Sequence, residues 1–172
     1  MTGLFFWVSA ISAPENGLVQ ISSFVFVSFL ILLVVSDFKW KLLPHPFTNL
    51  FALAGFIFQA IDKSFNLTSL YIVASGFVII GALIFTLIQI FPEVLGGGDI
   101  KMMLALSVWL DVAKSAYVLV LAFGTGALVA LVLLAFKKVN RKSTMPFGPF
   151  LALGACIMWF WPKWFDYLRI AL

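Results

Sequence analysis

Long apolar runs separated by brief polar punctuation organise this chain. The first extends from Gly17 to Ser36 without a charge, bounded by Glu15 and Asp37, and is long enough to cross a bilayer as a helix. In Asp37-Phe38-Lys39-Trp40-Lys41-Leu42-Leu43-Pro44-His45-Pro46, two lysines and two prolines predict a helix end and an extended turn. Phe47 to Ile61 is short for a span and surfaces at Asp62-Lys63, whereas Leu67 to Phe91 is long and closes at Pro92-Glu93. Three glycines and an aspartate, Gly96-Gly97-Gly98-Asp99, then lead into Ile100 to Leu110, about half the usual length, before Asp111 and Lys114 intervene. Ser115 to Phe136 is a full span, followed by the basic run Lys137 to Lys142, and Met145 to about Trp161 is the last segment. Runs of this length predict helices, since barrel strands would alternate over roughly ten residues. Residues 1–16 lack the basic start of a signal peptide and end at Pro14-Glu15-Asn16, which predicts an interfacial or extramembrane lead-in.

Charge parity decides the short fourth run. If Ile100 to Leu110 spans, there are six spans, and the loops holding Asp37, Asp99 and Lys137 to Lys142 share one side. That side carries Lys39, Lys41, Lys101, Lys137, Lys138, Arg141 and Lys142, against Lys63, Lys114, Lys163 and Arg169 opposite. The positive-inside rule makes it cytoplasmic, with both termini outside. The expected fold is an all-α, polytopic six-transmembrane-helix bundle with a cytoplasmic-face site. No internal repeat is evident, so residues 17–172 are read as one domain, with Trp159, Trp161 and Trp164 suited to the headgroup level.

Composition supports this picture: 63% of the 172 residues are hydrophobic, 10% are charged, and the mean hydropathy is +1.14. The net charge of +4 needs no nucleic acid, because lysine and arginine mark cytoplasmic loops. Lys137 to Lys142 reads as such a topology signal that also meets anionic lipid. One cysteine, Cys156, and one histidine, His45, do not make a zinc site or a disulfide framework, so no metal, cofactor or redox chemistry is expected. Cys156 reads as a core residue and His45 as a loop residue.

The candidate chemistry is a pair of carboxylates. An ionisable group near the bilayer interior costs roughly 2.5–3.5 kcal/mol on insertion scales, so Asp99 and Asp37 at one boundary call for a reason. Two carboxylates within hydrogen-bonding reach share a proton, so that one can take a proton from water while the other polarises a peptide carbonyl. Asp99, expected at a helix N-cap, is predicted to be the ionised partner. Gly96 and Gly98 would shape its loop through positive φ or close approach, and Pro44 would set the entry to the second helix. Lys101, two residues beyond Asp99, offers electrostatic support only through loop geometry, because i and i+2 positions on a helix do not face each other. A cap and a turn without chemistry would also account for these residues.

Gly96-Gly97-Gly98-Asp99-Ile100-Lys101 resembles the Gly-x-Gly-Asp-x-Lys motif of type IV prepilin peptidases, membrane aspartic proteases. Asp37, with Leu43-Pro44 and Thr48, is similar to their first motif, and Pro146-Phe147-Gly148-Pro149 to the stretch opening their last helix. His45 departs from the usual Asn or Asp after the motif proline, and Asp111 replaces a common glycine. The resemblance implies Asp37 and Asp99 as the catalytic pair, and removal of a short basic leader from prepilins or pseudopilins at the cytoplasmic face of the bacterial inner membrane. Bifunctional members carry paired Cys-x-x-Cys motifs linked to N-methylation; with one cysteine, this chain resembles the short peptidase-only branch, and no methyltransferase activity is expected. Two other readings fit part of the pattern: a presenilin-like intramembrane protease, whose Tyr-Asp pair and Pro-Ala-Leu motif are missing, and a non-catalytic subunit or small transporter with cation-binding aspartates.

Overall fold

The computed structural model describes residues 17–40, 45–62, 67–90, 96–136 and 146–161. The lead-in, Pro44, Lys137 to Lys142 and Trp164 lie outside the described residues. Six helices follow the six apolar runs: α1 (Gly17–Trp40), α2 (His45–Asp62), α3 (Leu67–Ile90), α4 (Gly97–Trp109), α5 (Val112–Ala135) and α6 (Gly148–Phe160). Long and short alternate, with 24 residues each in α1, α3 and α5 but 18, 13 and 13 in α2, α4 and α6. Three stretches, Gly17–Lys39, Val73–Ile90 and Val112–Ala135, are long and apolar enough to cross a membrane. At 1.5 Å rise per residue, α4 and α6 reach only about 20 Å, against a hydrocarbon core of about 30 Å.

Several boundaries differ from the sequence expectation, each for a local reason. α1 continues to Trp40, so Asp37 sits in its last turn rather than beyond its end, with Lys39 complementing the helix C-terminus. His45 opens α2 rather than lying in a loop, because Pro46 is compatible with a first helical turn, where an N–H has no partner to lose. α5 begins at Val112, since Asp111 caps it by accepting the Lys114 N–H at 2.8 Å, and the same carboxylate pairs with Lys114 Nζ at 3.3 Å.

α4 occupies the centre, packed against α2, α3, α5 and α6. Met102, Met103 and Leu106 are fully enclosed, whereas the flanks of α3 and α5 present Val78, Phe85, Val120 and Leu131 outward, as lipid-facing helices do. Between apolar helices in lipid, packing and directed hydrogen bonds hold elements together. Both occur at the C-terminal end of α4. The Trp109 indole N–H donates to the Phe51 carbonyl at 2.8 Å, and its ring stacks on Phe51 at 5.4 Å and meets the Phe26 ring at 5.2 Å. Gln59 of α2 donates to the Val108 and Trp109 carbonyls at 3.0 and 3.4 Å, serving acceptors that a terminating helix leaves open. Trp159 joins this cluster, stacking on Phe26 at 4.5 Å and donating to Ser23 Oγ at 2.9 Å. It is thus held between helices, because the neighbouring α1 offers both a ring and a hydroxyl.

Gly55 makes the cluster possible. A Cβ there would lie 2.6 Å from Trp109 Nε1 and 2.7 Å from Cδ1, so the indole reaches Phe51 only across a bare backbone. Gly55→Ala is expected to lower the thermal unfolding midpoint in detergent micelles, at about 1–3 kcal/mol for overpacking. Gly124→Ala in α5, where a Cβ meets nothing within 4 Å, should leave the midpoint unchanged or raise it. Equal midpoints for the two variants would remove the steric account.

Candidate active site

α2 and α4 start at the same end of the bundle, since Lys101 near the start of α4 reaches His45, the first residue of α2. α6 starts there too: the N–H of Gly148, its first residue, donates to Asp37 Oδ2 in the last turn of α1 at 3.0 Å. Three helix N-termini thus gather around the two aspartates predicted from the sequence. Each N-terminus carries unpaired N–H groups and a partial positive charge, which suits buried carboxylates.

Asp37 is 6% exposed and Asp99 9%. Asp99 is not the N-cap. Gly96 holds that position, and Asp99, three residues on, folds its Oδ2 back to the Gly96 N–H at 3.3 Å. The chain turns helical at Gly97, so two of the glycines form the first turn. Because Gly96 has no side chain, only the carboxylate half of a capping box is present. Gly96 has φ −71° and ψ 151°, so it supplies space rather than a positive φ: a Cβ would lie 3.1 Å from Asp99 Oδ2. Gly98 lies half-buried within the first turn of α4.

The other oxygen, Asp99 Oδ1, is buried and has no hydrogen-bond partner among the described residues. Asp99 precedes the apolar run Ile100 to Leu110 and lies outside the three long spans. The two carboxylates differ in what serves them: Asp37 accepts the Gly148 N–H at 3.0 Å, whereas Asp99 accepts the longer Gly96 N–H at 3.3 Å. The carboxylates titrate as a coupled pair.

Lys101 does not face the aspartates. Its Nζ lies 2.6 Å from His45 Nδ1, so it braces α4 to the start of α2, where Thr48 returns its hydroxyl to the His45 carbonyl at 3.1 Å. Gly148 was not singled out as a site residue from the sequence. Its Pro-Phe-Gly-Pro setting marked a helix start, and only the packing of α6 on α1 brings its N–H to Asp37. Among the described residues no group of three or more His, Cys, Asp or Glu could hold a metal ion. A cleft of about 240 Å³ between Leu18, Ser22, Phe58, Gln59 and Trp159 opens at the opposite end of the helices, away from both carboxylates.

A buried carboxylate pair, Asp37 on α1 and Asp99 on the central short helix α4, defines a class of apolar helical protein, and comparison with known sequences specifies it. The sequence model of the Type IV leader peptidase family matches residues 24–131, which include both aspartates, and the chain belongs to that family. The Prepilin leader peptidase/N-methyltransferase of Legionella pneumophila is 34% identical over 67 residues, 39% of this chain and 23% of the relative. Proteins of the same name from Pectobacterium carotovorum subsp. carotovorum and Escherichia coli (strain K12) are 28% identical over 140 residues and 27% over 157 residues. These alignments take in 80% and 90% of this chain, and 50% and 69% of the relatives. The chain thus spans half or less of the length of the first two. No solved structure matches.

The coupling of the carboxylates has a sign. In Asp37→Asn the neighbouring charge is gone, so titration of the Asp99 carboxyl should move to lower pH. Infrared titration of the carboxyl band in micelles measures this. An unmoved Asp99 pKa in the variant would separate the two groups electrostatically.

Proposed function

We propose that this chain is an aspartic endopeptidase that removes the short leader of type IV prepilins or pseudopilins at the cytoplasmic face of a bacterial inner membrane. The observation that carries the proposal is the buried pair itself: two carboxylates at one end of the bundle, each served by a glycine N–H, with Asp99 Oδ1 unpartnered among the described residues. Family membership supports the peptidase class, and the relatives' name supplies the leader as substrate.

The chemistry follows from the two roles. Asp99, protonated, donates its proton toward the scissile carbonyl oxygen and polarises the bond, while the carboxylate of Asp37 takes a proton from a water positioned between them. The hydroxide equivalent attacks the carbonyl carbon. The tetrahedral intermediate collapses as the C–N bond breaks, the proton on Asp37 passes to the leaving amine, and Asp99 recovers its own from the intermediate. Gly96 leaves room for the Asp99 carboxylate, and Pro44 sets the entry to α2. Single-domain organisation and six crossings, with both termini outside, belong to the same reading, supported by the charge asymmetry of the loops. So does the absence of methyl transfer within these residues, supported by the single cysteine. Short α4 and α6 thin the bilayer or admit water at this face, opening a lateral groove for a substrate helix.

Co-expression with a tagged prepilin tests the activity. Asp37→Asn and Asp99→Asn should each abolish leader removal, with Asp-to-Glu variants also inactive. Normal processing by either Asn variant would sink the assignment, and graded tolerance of Glu would favour a cation site. Orientation has a separate check in a Cys156→Ser background. A cysteine at the exposed Lys101 should react with a membrane-impermeant maleimide from the cytoplasmic side only, and labelling from the periplasm would invert the topology.

A further inference from the structure

We propose that Gly148 is a positioning residue of this site, required both for its N–H and for its lack of a side chain. The inference rests on Asp37 taking part in cleavage. The Gly148 N–H is the first of α6 and has no partner within its own helix; it is spent on Asp37 Oδ2, 111 residues away in sequence. A Cβ at this position would lie 2.7 Å from that oxygen, 3.1 Å from Asp37 Cγ and 3.3 Å from Asp37 Cβ. Asp37 is short, buried and attached to a helix, so it cannot swing clear and keep the bond.

α6 cannot retreat instead. One and a half turns further along, a Cβ at Gly154 would lie 3.0 Å from the Val118 carbonyl of α5, so the two helix backbones already touch. Any residue larger than glycine at 148 therefore displaces the carboxylate. With Oδ2 held by α6, Oδ1 is the Asp37 oxygen left for the water, and the bond fixes which lone pairs meet it. A displacement of about 1 Å in a reacting group can lower turnover about 100-fold. Gly148 also precedes Pro149, where a Cβ disfavours helical backbone, so a substitution carries a second, purely local effect that the test must separate.

The test uses the full chain in detergent micelles with a purified prepilin. Gly148→Ala should lower kcat about 100-fold or more while KM stays within about threefold, a misplacement of reacting groups rather than lost binding. Thermal unfolding supplies a readout independent of activity. Gly148→Ala should lower the midpoint when Asp37 is present and lower it much less in an Asp37→Ala background, where the obstructing carboxylate is gone. Wild-type kcat in Gly148→Ala, or an equal midpoint loss in both backgrounds, would overturn the proposal. If the single variant does not accumulate, accumulation of the Asp37→Ala/Gly148→Ala double variant supports the contact, and failure of both to accumulate refutes it. Normal cleavage by Asp37→Asn would instead remove the protease reading, with the unfolding cycle still reporting on the contact.

Discussion

Burying two carboxylates together in an apolar helical protein is the constraint on which the rest of this structure depends. Each needs donors, and burial withholds most of the water that would supply them. The fold meets the need with helix N-termini, because the first N–H groups of a helix lack partners of their own and carry partial positive charge. Asp37 takes the first N–H of α6, and Asp99 takes the N–H just ahead of α4. Both donors belong to glycines, the residues that let a carboxylate approach backbone closely. One oxygen, Asp99 Oδ1, has no partner among the described residues.

The alternation of long and short helices follows from the same need. α2, α4 and α6 begin at the carboxylate end, so that their N-termini converge there, and end against the aromatic cluster of Phe26, Phe51, Trp109 and Trp159. The far end is tied by directed bonds from Trp109, Gln59 and Trp159. At the near end the described cross-links are fewer: the Lys101–His45 brace and the Gly148–Asp37 bond.

Much of this was legible in the sequence, and the residues show why. Hydropathy located all six helices, because unbroken apolar runs have few other solutions, and loop charge placed Asp37 and Asp99 on one side. What failed was local or three-dimensional. Asp99 was expected at the N-cap, but helix onset within a glycine run depends on where backbone angles change, and three successive glycines give no marker. Lys101 was expected near Asp99, yet its partner His45 lies 56 positions away on α2. That Trp159 meets Ser23 and Phe26 of α1 was equally out of reach, since the contact spans more than 130 positions. Gly148 carried a helix-start signal only, since nothing along the chain says that the start of α6 meets the end of α1.

The order of the helices also bears on biogenesis. Each short helix follows a long one in the chain, so the helices are made as three long–short pairs. The first pair brings Asp37, the second brings Asp99 and the core, and the third brings the N–H of Gly148. Until the third pair is made, Asp37 lacks that donor. The carboxylate pair is thus completed by the last helices to emerge.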